Sequence, residues 1–217
     1  MIVILFAAVL HAGWNAIIKA SSEKFADTVL VTIGAAFVAS LMLPWIGPPA
    51  GSSWPYLGTS VAIHFGYFSF VALAYRSGDL SYAYPIMRGV APLLTAGVAS
   101  LWLSEPLTPG GKLGILLLSL GILTLTCDSW RAGQFAYAST GIGLMNAVVI
   151  TAYTVVDGIG IRLAGKAESY ITWLFFSNGL VFLAFALLNR PRLLKDQLTR
   201  RWKIGLIGGL FTYGSYG

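Results

Sequence analysis

No aspartate, glutamate, lysine or arginine occurs between Val29 and Tyr75. A bilayer crossing needs about 20 mostly apolar residues, so this run holds two crossings around the turn-forming joint PWIGPPAGSSWP. The rest of the chain agrees. Of its 217 residues, 57% are hydrophobic and 10% charged, against about 25% charged in ordinary soluble domains. Too little polar surface remains to solvate a water-facing exterior. The expected fold is all-α, a polytopic transmembrane helix bundle in the lipid bilayer.

Eight hydrophobic spans are expected, at roughly 2–20, 27–45, 54–76, 82–103, 112–129, 137–161, 169–189 and 203–217. RSGDLS and SEPLTPGG mark the joints after the third and fourth, and RPRLLKDQLTRRWK is expected as a charged loop before the eighth. The eighth offers only about 15 residues, short of a crossing. The opening MIVILFAAVLHAGWNAIIK lacks a basic n-region and reads as a retained first helix. The single cysteine, Cys127, excludes an internal disulfide and a cysteine-based metal cluster. The net charge of +6 supplies loops rather than a nucleic-acid surface. With the N-terminus outside, Lys19, Lys24, Arg76, Arg131, Arg190, Arg192, Lys195, Arg200, Arg201 and Lys203 fall on the cytoplasmic side. Only Lys112, Arg162 and Lys166 then fall outside.

The fourth span, within SYAYPIMRGVAPLLTAGVASLWLSEP at Ser81–Pro106, carries Arg88, Pro85 and Pro92. An arginine deep in a bilayer helix costs about 2.5–3.5 kcal/mol on insertion scales. Pro92 has no N–H, so it leaves the carbonyl of Arg88 without its helical partner. Arg88 either snorkels to the interface or faces an internal polar site, and the spacing favours the site. Tyr84, Arg88, Ala91 and Thr95 share one stripe, while Gly89, Ala96, Gly97 and Ser100 lie elsewhere and suit close helix contact.

Other polar residues join the candidate site. His11, Trp14 and Asn15 share a face of the first span, as cavity lining or as interhelical hydrogen bonders. His64 and Tyr67 are one turn apart in the third span; a lone histidine there is more often structural than a proton carrier. Span six carries Asn146, Tyr153 and Asp157, the last pairing with Arg162 or Lys166, or with Arg88 as a site residue. Asn178 reads as an interhelical hydrogen bonder, and Asp79, Glu105, Lys112 and Glu168 as cap or loop residues. Glycines at 205 and 209, and at 110 and 114, have small-xxx-small spacing.

The second half reads as the first begun again. Trp54 and Trp202 each open a span, and His64–Phe68 aligns with Thr212–Tyr216 through Gly66 and Gly214. Trp14–Asn15 likewise aligns with Tyr153–Thr154. Five spans precede the restart, so the second copy enters the membrane in the opposite sense. Such inverted repeats are a transporter architecture. The expected division is a five-helix repeat over residues 1–130 and an incomplete second one over 131–217. The 217 residues alone are then expected not to transport.

The segments LHAGWNAIIK, YRSGDLSYAYPIMRGVAPLL and LSEPLT together resemble the drug/metabolite transporter superfamily, specifically its EamA-type ten-helix transporters. Tyr84-Pro85-Ile86, Arg88-Gly89, Pro92-Leu93-Leu94 and Glu105 match the family pattern, and Ser104 replaces a usual glycine. The resemblance implies two inverted five-helix repeats, about ten spans in all, and transport or export of small metabolites across the inner or plasma membrane. It also implies a cytoplasmic N-terminus, opposite to the charge count. No cofactor is expected, and proton coupling is left open. Arg88 suits an anionic or zwitterionic solute, and Trp14, Tyr67 and Tyr153 an aromatic or amphipathic one. An enzyme is disfavoured, with no Gly-x-Ser-x-Gly, His-Glu-x-x-His or phosphate-cradling loop. A non-transporting membrane scaffold or partner subunit is the alternative.

Overall fold

A computed structural model describes residues 2–21, 24–77, 80–102, 106–131 and 137–216, and all that follows concerns these. Side chains are described for most of them, but not for 3–4, 19, 24–25, 68–77, 80–85, 123, 129 and 138–139. Every regular element among them is helical: α1 (Ile2–Lys19), α2 (Lys24–Ile46), α3 (Trp54–Ser77), α4 (Leu80–Trp102), α5 (Pro109–Arg131), α6 (Tyr137–Leu163), α7 (Ala167–Asn189) and α8 (Pro191–Tyr216). A single 3-10 turn, Gly51–Ser53, precedes α3. Four stretches are long and apolar enough to cross a membrane, namely Ala26–Ile46, Pro109–Asp128, Thr140–Leu163 and Ala167–Asn189.

Local chemistry sets the ends. Gly47, at φ 73°, closes α2 in the left-handed conformation that glycine adopts without Cβ strain, and its N–H reaches Leu43 O at 3.0 Å. Gly165, at φ 80°, makes the turn between α6 and α7. Prolines 55, 109 and 191 stand in the first turns of α3, α5 and α8, where a missing N–H costs nothing. Thr108 caps α5, its Oγ1 accepting from Gly111 N at 3.1 Å.

The eighth helix departs from expectation. The charged stretch expected as a loop is helical, and α8 starts at Pro191. Arg201 breaks it, with φ −127° and ψ 16°. The segment before the break is amphipathic, burying Leu194 and Gln197 one turn apart.

Contacts divide the chain into two compact units, residues 1–61 with 159–217, and residues 62–158. Packing units and sequence repeats are different divisions, one of contact and one of symmetry. In the first unit α2 lies between α7 and α8. A Cβ on Gly34 would strike the carbonyl of Gly205, one on Gly209 the backbone of Gly34 and Ala35, and one on Gly205 would sit 2.9 Å from Leu30 O. The helices touch backbone to backbone, the close approach that small residues permit. Positions rise together along both, so α2 and α8 run parallel. Gly179 of α7 meets Ala36, while Ser169 Oγ bonds Ile46 O, so α7 runs antiparallel to α2. Gly13 meets Phe211 and Gly214 meets Leu10, so α1 runs antiparallel to α8. Directions thus alternate as successive membrane crossings require.

Opposite ends of α2 carry different fastenings. At its end, Ala50 N bonds Ala164 O at 3.1 Å, Ser52 Oγ bonds Leu163 O at 3.2 Å, and Trp173 Nε1 bonds Gly47 O at 3.0 Å. At its start, Asp27 has no exposed surface and meets Arg201 Nη2 at 2.9 Å. The contact lies off the hydrogen-bond line, so it is an ion pair in which neither carboxylate oxygen has a hydrogen bond. Arg201 also donates from Nη1 to Ser21 Oγ at 3.4 Å.

Candidate polar site

In the second unit, α4 packs on α6 through Met87, Ala91, Ala147 and Ile150, all buried, with Tyr67 and Tyr153 against them. Thr151 Oγ1 stands 3.2 Å from Ala91 O and 2.9 Å from Ala147 O, its single proton serving either carbonyl. Gly89 admits α5: a Cβ there would collide with Ile122. The expected close contact at Gly89 is therefore present. At Gly97, Gly110 and Gly114 nothing lies within 4 Å, which corrects the expectation of tight packing there. Periodicity identifies a small-residue face, but it does not identify what stands opposite.

The polar face of α6 runs Asn146, Ile150, Tyr153, Asp157, a spacing of four, three and four that keeps one stripe. Tyr153 is tilted over His64, with centroids 4.2 Å apart and planes at 31°; Tyr67 meets the Tyr153 ring edge-on at 5.9 Å. Two turns earlier Asn146 is completely buried. Its Nδ2 donates to Met87 Sδ at 3.0 Å, a weak acceptor, and its Oδ1 has no hydrogen-bond partner. Leaving such a group unpaired in an apolar setting costs about 1–3 kcal/mol. The spacing that sets Asn146 on the stripe of Tyr153 and Asp157 is readable in the sequence; its complete burial and its unpaired oxygen are not.

Arg88 and Asp157 are half-buried on α4 and α6. Pro92 lies within continuous helix and is exposed. The backbones of Tyr84 and Pro85 belong to α4, but their side chains, and all of Glu105, lie outside the described residues.

His11, Trp14 and Asn15 belong to the first unit. Trp14 Nε1 donates to His11 Nδ1 at 3.3 Å, and Asn15 Nδ2 donates to His11 O at 2.8 Å. His11 also meets Tyr216 edge-on at 5.7 Å, and Phe175 lies 6.0 Å from Tyr216. Thr172 Oγ1 and Tyr213 OH are 2.9 Å apart. Because Trp14 donates to Nδ1, the neutral His11 ring carries its proton on Nε2. Among the described residues, no group of three or more histidine, cysteine, aspartate or glutamate side chains is placed to hold a metal.

A helical bundle with several long apolar helices and polar groups buried on their facing sides is an architecture compatible with an integral-membrane protein. Comparisons with protein families, curated proteins and solved structures return no match.

Proposed function

We propose that this chain is an integral-membrane secondary transporter of small metabolites, an exporter of the inner or plasma membrane. In this reading the solute sits in a polar site between inverted repeats and is exposed alternately to either side. The observation that carries it is Asn146, a fully buried amide with an unpaired oxygen in the middle of an apolar helix. A polar group buried inside an apolar membrane helix without a protein partner for its oxygen is costly to keep, and a polar solute would satisfy it. The His64–Tyr153 contact gives further support, because it joins the two expected repeats within one compact unit. So does the break in α8, which falls one residue before Trp202, as α3 begins at Trp54. Arg88 would hold a carboxylate or phosphate bidentately, Asn146 Oδ1 would accept from an amine or hydroxyl, and the Tyr67–Tyr153 rings would flank an apolar body. A zwitterionic or anionic metabolite is the implied solute.

A second reading, a membrane scaffold without transport, draws on α5, where Leu113, Leu116, Leu117, Leu120 and Leu125 are exposed. Proteoliposome uptake of a labelled metabolite panel separates the two, using the protein with any sequence its gene encodes beyond Gly217. Saturable uptake that Arg88→Ala abolishes and Arg88→Lys weakens, with folding retained, supports transport. Uptake of no panel member by correctly inserted protein supports the scaffold.

A further inference from the structure

The amphipathic first segment of α8 has a second side that the proposed transport does not use. Between the end of α7 and this segment lies an open groove of about 310 Å³, lined by Leu187, Pro191, Leu194 and Leu198, with Lys195 and Thr199 at its rim. Leu187 and Leu198 are 53% and 41% exposed, a costly state unless something apolar covers them. The surrounding charge is lopsided. From Arg190 to Lys203 the chain carries six basic residues and one acid, Asp196. Asp196 is held by Arg200 at 2.7 Å, and Arg201 is turned inward to Asp27. Arg192 and Lys195 lie three residues apart, hence one above the other on the helix, exposed and without an acidic partner among the described residues. Two like charges one turn apart repel unless an anion sits between them. Thr199 Oγ1 donates to Lys195 O at 2.6 Å, so it offers the groove an acceptor only.

We propose that this groove seats one anionic phospholipid, its phosphate bridging Arg192 and Lys195 and the start of an acyl chain along Leu187, Leu194 and Leu198. An apolar slot with Lys195 at its rim and Arg192 one helical turn from Lys195 matches a lipid that is charged at one end and apolar at the other. The proposal rests on the membrane reading but not on transport.

The test uses the full chain, recovered from the membrane fraction in a neutral detergent. Recovery without detergent would sink the membrane reading itself. Thermal unfolding is followed by tryptophan fluorescence as dioleoyl-phosphatidylglycerol, dioleoyl-phosphatidylcholine or inorganic phosphate is added. Phosphatidylglycerol should raise Tm saturably, and the other two should not. Arg192→Gln with Lys195→Gln should weaken phosphatidylglycerol binding roughly tenfold or more, at about 1 kcal/mol per charge. Leu198→Gln should weaken it with every charge kept, while Arg131→Gln, on α5, should leave it unchanged. Equal shifts with phosphatidylcholine, shifts from inorganic phosphate alone, or full phosphatidylglycerol binding by the double or the Leu198 variant would each overturn the proposal.

Discussion

Arg201 Nη2 stands 2.9 Å from Oδ2 of Asp27, a carboxylate with no surface exposed, and Arg201 is also the residue at which α8 leaves helical geometry. Its position on the Leu194, Gln197, Gly205, Gly208 stripe aims it at α2, where the only acid in that stretch of α2 is buried. One contact therefore joins the start of α2 to the joint between the basic segment and the apolar part of α8. Removing either partner strands the other. Arg201→Met should destabilise the protein by up to about 3–5 kcal/mol, an upper bound because the Arg201 side chain keeps 28% exposure. Asp27→Leu with Arg201→Met should recover most of that loss. Unfolding in detergent measures both, and a double variant as unstable as the sum of the singles would refute the coupling.

Gly209→Ala should sharply reduce yield and melting temperature, since its Cβ meets the backbone of Gly34 and Ala35, which cannot turn aside. Gly97→Ala has open space and should be neutral or stabilising by up to about 1 kcal/mol, the helix-propensity gain of alanine over glycine. Equal tolerance at both positions would contradict the α2–α8 approach.

Asn146→Leu removes a buried amide with an unpaired oxygen and keeps similar volume. Stability should rise by about 1–3 kcal/mol, while transport is lost. Loss of stability together with retained uptake would assign Asn146 to packing and remove it from the site.

The His64–Tyr153 ring contact should show a coupling of about 0.5–1.5 kcal/mol in a double-mutant cycle of His64→Leu and Tyr153→Leu. Strict additivity of the two substitutions would show that the rings do not interact.

The bonds from Ala50 and Ser52 to the α6–α7 turn put positions 52 and 166 at one end of the first unit, and Ser21 with Arg201 at the other. With the exposed Cys127 replaced by serine, single cysteines at 52 and 166 should react with an impermeant maleimide from one side of a membrane vesicle. A cysteine at 192 should react only from the other side. Labelling of all three from the same side would exclude alternating crossings.

Much of the helical layout was legible because its causes are local. Charge-free runs such as Val29–Tyr75 admit helices as the economical way to satisfy backbone groups away from water, and Gly47, Pro55, Pro109 and Gly165 mark their ends within a few residues. The stretch after Asn189 misled because its charge suggested a loop. Its apolar positions 193, 194 and 198 already had helical spacing, but only α2 and α7 supply the surface that buries Leu194 and Gln197. The polar stripe of α6 could be read from spacing, yet the isolation of the Asn146 oxygen could not, since that depends on Met87 being its neighbour. Gly89 and Gly97 look alike in sequence, and Ile122 stands against only the first. A sequence fixes which face of each helix is apolar, small or charged, because those patterns repeat with the helix itself. Which face meets which, and so which charge is paired and which left open, is decided only when distant segments pack, because that choice depends on shape and desolvation between residues that share no local period.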